Sequence, residues 1–225
     1  MQRYTTLLID ADDTLLDFKK AEQTALGLMM HSRSIPFVPT DVELYSKVNQ
    51  SFWEAFERGE IKKSDIIVGR FKRFFEIKGI ETDADDAAKT YEQKLCCQHF
   101  VTKGAIELLS ELHKSYKIYI ITNGTQHIQE RRLQDSGISD IADGVFVSEA
   151  VGVPKPEKQY FDYVLQNITE TDKAKILVVG DSMSSDILGG INAGLDTCWY
   201  NPYSNSAKYK PTYQIKELSE IKKIL

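Results

Sequence analysis

Five aspartates in two short stretches carry most of the chemistry this sequence offers. Asp10, Asp12 and Asp13 crowd the end of an apolar run in LLIDADDTLLDF, and Asp181 and Asp186 stand far along the chain in GDSMSSD. Like charges repel by roughly 4 kcal/mol per pair at 4 Å in a partly screened site, so folding alone gives no reason to gather them. Three residues of complementary chemistry accompany them: Thr122 and Asn123 in IYIITNG, and Lys155 in the proline-bounded VGVPKPE. Were Asp10, Asp12, Asp181 and Asp186 to converge on a phosphate ester, whose own charge is about −2, one lysine would not balance the sum. A divalent cation does. Mg²⁺ takes one or two carboxylates together with waters and phosphate oxygens, so the two acidic stretches read as halves of one metal site and Mg²⁺ as the expected cofactor.

With a cation in place, each group acquires a task. A metal-bound Asp10 carboxylate is deprotonated and aimed, and can attack phosphorus as a covalent nucleophile. Asp12, two residues on, faces the same side of an extended chain and can protonate the leaving oxygen, then take a proton from water. Thr122 and the backbone N–H groups after it, beginning with Asn123, can donate to phosphate oxygens while Lys155 neutralises charge. Ser182 is expected near the metal. Asp186 either orients Lys155 or holds a metal-bound water.

These residues need a scaffold that brings distant segments to one edge. TLLIDAD, KIYIITN, GVFVS, AKILVVGD and DTCWYN are short β-rich runs, with helix-length segments between the later ones. Near-continuous apolar strands joined by helices predict a parallel sheet covered on both faces. In such sheets ligands sit outside the carboxyl ends of the strands. The polar residues fall there: Asp10 and Asp12 after the first run, Thr122 and Asn123 after the second, Asp181 and Ser182 after ILVVG.

Between Asp17 and Phe100 the texture changes to helical. PTDVELYSKVNQSFWEAFERG predicts a helix capped by Thr40 or Asp41, with Leu44, Val48, Phe52 and Phe56 as its stripe and Gly59 as its stop. SDIIVGRFKRFFEIKG predicts another, with Ser64 as cap, Ile67, Phe71, Phe74 and Phe75 as stripe and Gly79 as terminator. Two more are expected around residues 18–32 and 83–98. The fold class is therefore α/β: a parallel-sheet core over residues 1–16 and 101–225, interrupted by a helical bundle over 17–100.

Composition narrows the partners. With 225 residues, 42% hydrophobic and 27% charged, the chain has the make-up of a soluble globular protein. No apolar run approaches the roughly 20 residues of a membrane span, and MQRYTTLLID enters a strand without a signal-like segment, so a cytoplasmic location is expected. A net charge of −5 argues against binding nucleic acid polymers. Cys96, Cys97 and Cys198 fit a reducing compartment, and neither they nor the four scattered histidines have zinc-ligand spacing.

DADDT, TN, KP and GDSMSSD, in that order, resemble the four motifs of the haloacid dehalogenase superfamily, and the resemblance covers essentially the whole chain. It implies a Rossmann-like core, a mobile helical cap inserted after the first motif, Mg²⁺, and an aspartyl-phosphate intermediate. By the same resemblance Asp10 is the nucleophile and a metal ligand, Asp12 the acid/base whose backbone carbonyl also meets the metal, and Asp181 the remaining metal ligand. Thr122 and Lys155 match the phosphate binders, and Asp186 the second acid of the last motif. Dehalogenating members lack an acid two residues after the nucleophile, so Asp12 favours phosphate transfer. DDTLLDF, FWEAFERGEI, AGLDTCWYNP and PTYQI are similar to pyrimidine 5'-nucleotidases of the house-cleaning type, which hydrolyse nucleoside monophosphates. The resemblance thus implies a small-molecule partner, a pyrimidine nucleoside monophosphate; the runner-up is a sugar phosphate or phosphoglycolate.

Blander readings apply elsewhere. Asp13 and Thr14 shape the turn after the first strand, and Asp17 caps the first inserted helix. Gly180, Gly189, Gly190 and Gly194 do not follow G-x-G-x-x-G, and close helix–sheet packing explains them better. Trp53, Phe56, Arg70 and Phe71 read as bundle residues, one of which could meet a base. His127 falls on a helix surface or at the cleft. A phospho-accepting receiver domain shares acids, Thr and Lys, but has no place for the inserted bundle or for GDSMSSD; a binding-only relative is at odds with every chemical position being filled.

Overall fold

A computed structural model describes residues 3–225. In chain order, β1 (Thr6–Asp10) is followed by four helices, α1 (Phe18–Ser32), α2 (Pro39–Glu57), α3 (Lys63–Lys78) and α4 (Ala84–Leu95). Strands and helices then alternate: α5 (Ala105–Leu112), β2 (Lys117–Thr122), α6 (Gln126–Asp135), α7 (Ile138–Ile141), β3 (Gly144–Val147), α8 (Ser148–Val151) and α9 (Lys158–Gln166). β4 (Ile176–Gly180), α10 (Leu188–Ala193), β5 (Asp196–Tyr200) and β6 (Tyr213–Ile215) complete the chain. The described residues form two compact units, one of Phe18–Gln98 and one of the chain up to Asp17 with His99–Leu225.

The second of these units is an α/β layer structure. Its six strands are all parallel, in the order β3-β2-β1-β4-β5-β6. Successive side chains of a strand point to opposite faces, and the central strands obey this rule. Leu7, Ile9, Ile118, Ile120, Leu177 and Val179 pack with Leu108, Leu109 and Leu112 of α5. Leu8, Ile121, Ile176 and Val178 pack with Tyr160, Phe161 and Val164 of α9. Cys198 belongs to the first face, and burial pushes its thiol up to about 12, so it is a packing residue. The chain crosses from β3 to β4 over β2 and β1, which makes the β1–β4 boundary the point where strand order reverses. Ligand crevices in open α/β sheets form there.

The unit is sealed where the inserted chain leaves and returns. Asp17 N–H donates to Phe100 O at 2.9 Å, Thr102 N–H to Leu15 O at 2.9 Å, and Leu16 and Val101 form an antiparallel bridge.

The helical unit packs α1 on α4 and α3 on both α2 and α4. Its centre is aromatic, with Tyr45 5.1 Å from Phe71 and Phe71 5.2 Å from Tyr91 between ring centroids. Two predicted caps are corrected. α2 begins at Pro39, before Thr40 and Asp41, because proline suits the first helical position; Asp41 instead accepts the Val38 N–H at 3.0 Å. α3 begins at Lys63, before Ser64, and Asp65 accepts the Lys62 N–H at 2.9 Å. The buried face of α2 is also rotated from its expected stripe, whereas Phe71, Phe74 and Phe75 of α3 are buried as expected. α2 buries Tyr45, Val48 and Asn49, while Leu44, Phe52 and Phe56 are only partly covered; in α3 the buried isoleucine is Ile66, with Ile67 partly covered. A chain of polar side chains links α1, α2 and α3. Ser46 and Asn49 donate to the Glu22 carboxylate, Asn49 at 2.7 Å, and Arg70 donates to Asn49 Oδ1 at 3.0 Å. Trp53 and Phe56 are half-buried and meet edge to face.

Candidate active site

β1 ends in Asp10, and the chain turns at once. Asp13 takes a φ of 57°, a left-handed conformation aspartate tolerates, while Leu15 and Leu16 N–H donate to Ala11 O. This turn brings Thr14 back, fully buried, to accept the Asp181 N–H at 3.1 Å. Asp181 follows β4, and its carbonyl accepts the Trp199 indole N–H at 2.8 Å. The main chain of Asp181 is thus fixed from both sides.

Beyond Asp181 lies a π-helical turn, Met183–Ile187. Such wide turns recur at functional sites because they redirect one side chain. Here the redirected residue is Asp186, fully buried, whose Oδ2 accepts the Ser182 N–H at 3.1 Å. Ser182 is the cap of this turn, its hydroxyl accepting the Ser185 N–H at 3.2 Å. Gly180 makes the arrangement possible: a Cβ there would sit 2.2 Å from Asp186 Oδ2.

Lys155 is 1% exposed and spends its three ammonium hydrogens on Asp10 Oδ1 at 2.6 Å, Asp186 Oδ1 at 2.7 Å and Ile121 O at 3.1 Å. Its main chain is tied to the end of β2 by a reciprocal pair with Asn123. The Asn123 amide donates to Lys155 O and accepts Lys155 N–H, both at 2.9 Å. The side chain of Asn123 therefore braces the lysine. His127 is exposed on α6.

Asp10, Asp181 and Asp186 bring ligand oxygens within 4.8 Å of one another. Three carboxylates against one ammonium leave an excess of negative charge. Burial first, and then Asp186 and Asp12, push the Asp10 carboxyl well above the usual range against the pull of Lys155. Burial, then Asp10 and Asp186, do the same to Asp181. Burial works against the charge on Lys155, but Asp10 and Asp186 outweigh it and hold the ammonium above its ordinary value. A cluster of hard oxygen donors that resists its own ionisation fits a small dication.

The Asp12 carboxylate is held elsewhere, by two residues of α6 that the sequence reading did not single out. Arg132 Nη1 donates to Asp12 Oδ1 at 2.5 Å, and Gln129 Nε2 to Asp12 Oδ2 at 3.0 Å. Arg132 is a second buried cation beside Lys155, at 0% exposure. The signal was present: Ile128, Gln129, Arg132 and Leu133 share one helix face, so the polar pair lies on the apolar stripe of QHIQERRLQD.

A family model for haloacid dehalogenase-like hydrolases matches residues 4–194, and this chain belongs to that family. The protein YfnB of Bacillus subtilis (strain 168), a HAD-hydrolase by name, is 40% identical over the whole of this chain and 97% of its own length. Its crystal structure, bound to magnesium, superposes with a TM-score of 0.94, covering 99% of this chain and 98% of that one. Pyrimidine 5'-nucleotidase PynA of Streptococcus pneumoniae is 35% identical over 97% of this chain and 93% of its own. Pyrimidine 5'-nucleotidase YjjG of Escherichia coli K12 is likewise 35% identical, over 99% and 98%. Among the described residues no helix is long and apolar enough to cross a membrane.

Proposed function

We propose that the protein is a Mg²⁺-dependent phosphomonoesterase of pyrimidine nucleoside 5'-monophosphates, working through an aspartyl-phosphate on Asp10. The observation that carries this reading is the buried Asp10–Lys155–Asp186 triad, with Asp181 beside it and Thr122 at the end of the neighbouring strand. The names of PynA and YjjG support the substrate class, and the magnesium in YfnB supports the metal.

Asp10 and Asp181, with the main-chain carbonyl of Asp12, would hold the cation, and Asp186 braces Lys155 behind them. When bound, Mg²⁺ supplies positive charge to carboxylate and phosphoryl oxygens. Lys155 fixes the Asp10 carboxylate through Oδ1, and the Thr122 hydroxyl with the Asn123 N–H binds the phosphoryl oxygens. An Asp10 oxygen attacks phosphorus. As the ester P–O bond breaks, its electron pair stays on the leaving oxygen, which takes a proton from Asp12. Water then attacks the phosphorus of the aspartyl-phosphate, losing a proton to Asp12, and the P–O bond to Asp10 breaks to restore the carboxylate. The inserted helical unit serves as the substrate-selecting cap of the family.

The test is a phosphate-release panel of nucleoside monophosphates, hexose phosphates and phosphoglycolate, run with Mg²⁺ and with EDTA. Highest kcat/KM on a pyrimidine monophosphate, lost in EDTA, is expected. Preference for a hexose or glycolate ester would overturn the substrate, and full activity in EDTA the metal.

A further inference from the structure

The acid/base residue and the phosphate-binding hydroxyl lie on different segments, yet a single buried side chain touches both. Gln129 is 1% exposed, and its Nε2 donates to Asp12 Oδ2 at 3.0 Å and to Thr122 Oγ1 at 2.7 Å. Its Oε1 accepts from Arg132 Nη1 at 2.9 Å. A guanidinium can only donate, so Arg132 fixes which end of the amide faces it and turns the nitrogen toward Asp12 and Thr122.

Two consequences follow from counting donors and acceptors. Each oxygen of Asp12 receives one hydrogen bond, Oδ1 from Arg132 at 2.5 Å and Oδ2 from Gln129. The carboxylate plane is therefore set, while each oxygen keeps another lone pair for a proton in transit. Thr122 Oγ1 receives two, from Gln129 and from the Gly124 N–H at 3.1 Å. With both lone pairs engaged, its one hydrogen is left to donate, which is what an acceptor-only phosphoryl oxygen requires. The loop is shaped to admit this amide. A Cβ on Gly124 would lie 2.5 Å from Gln129 Cγ and 2.6 Å from its Cδ.

We infer that Arg132 and Gln129 are positioning residues for the reaction: Arg132 aims the Asp12 carboxylate at the leaving oxygen, and Gln129 couples that aim to the donor orientation of Thr122. The inference rests on Asp12 being the proton donor of the proposed function, and its test separates the two. kcat/KM reports only the steps up to release of the alcohol, so it is compared for two esters under saturating Mg²⁺. One is the alkyl ester best turned over in the panel above, whose leaving oxygen needs a proton. The other is p-nitrophenyl phosphate, whose leaving oxygen departs as an anion.

Arg132→Met is expected to lower kcat/KM for the alkyl ester by about 10²-fold, the lower end of what a positioned acid contributes, and for the aryl ester by less than about 10-fold. Arg132→Lys, which keeps a cation of nearly the same reach, should recover part of the alkyl loss. Gln129→Met should show the same selectivity and, through Thr122, raise KM for both esters; it leaves the arginine–carboxylate pair intact and carries the test if Arg132→Met does not fold. Asp12→Asn is the reference. Equal losses on both esters in Asp12→Asn would sink the acid assignment itself. A selective Asp12→Asn beside unselective or unaffected Arg132 and Gln129 variants would overturn the positioning role alone.

Discussion

Each unit of the protein buries a chain of polar side chains, and the two chains differ in charge balance. In the helical unit Glu22 and Arg70 are joined through the neutral Asn49, so one negative group meets one positive group. Burial still raises the Glu22 carboxyl, and the Ser46 and Asn49 hydrogen bonds and Arg70 oppose the rise. In the sheet unit Asp10, Asp181 and Asp186 face Lys155 alone, and burial first, then repulsion between the carboxylates, raises Asp10 and Asp181. A buried network in balance holds helices in register. One left with surplus charge of one sign is shaped for something brought in from outside.

The contrast can be broken by substitution, beginning with the largest effect. Asp10→Asn should lower kcat by at least about 10⁴-fold, as loss of a nucleophile does, while far-UV circular dichroism and the unfolding midpoint stay close to the parent. Lys155→Met leaves Asp10 and Asp186 without their cation and should cost about 3–5 kcal/mol, the penalty of stranding buried charge, read by urea unfolding in EDTA. Asp181→Asn should act oppositely in EDTA, raising stability by about 1–3 kcal/mol through relieved repulsion, and should abolish the rise in midpoint that Mg²⁺ gives the parent. Glu22→Gln leaves the buried Arg70 without its counter-charge and should cost about 1–3 kcal/mol, but should leave the Mg²⁺ response untouched. A lost Mg²⁺ response in Glu22→Gln, or a retained one in Asp181→Asn, would dissolve the distinction between the two networks.

The same surplus sets a pH dependence. Asp10 and Asp181 hold protons above the ordinary carboxylate range, so between that range and their raised values the native chain binds more protons than the unfolded one. Stability in EDTA should therefore fall as pH rises through this window. Mg²⁺ competes with those protons and should reverse the fall. Urea midpoints at several pH values, with and without Mg²⁺, measure both slopes.

What the sequence disclosed follows from where its signals lie. Asp10, Thr122 and Asp181 could be read as neighbours because each ends or follows an apolar run, and parallel strands put such ends at one edge. β6 escaped notice because three residues of YQI are too few to stand out. The stripe of α2 was misphased because Asn49 sits on the buried face where an apolar pattern would place leucine or phenylalanine, whereas Phe71, Phe74 and Phe75 were legible in α3. Arg132 and Gln129 were missed for a related reason: in QHIQERRLQD only Ile128 and Leu133 mark the inward face, so the polar residues beside them read as solvent-facing. The bracing role of the Asn123 side chain depends on a loop some thirty residues away and has no local signature.

The closure between Leu15–Asp17 and Phe100–Thr102 has a bearing on how this architecture diversifies. Because the departing and returning backbones are zipped together there, the insertion leaves and re-enters the sheet unit through two strands of chain held side by side. With its two ends already held together, a change in the length of the insertion costs the sheet unit little in chain closure. The selectivity proposed for the insertion can thus vary without changing the segment that carries Asp10.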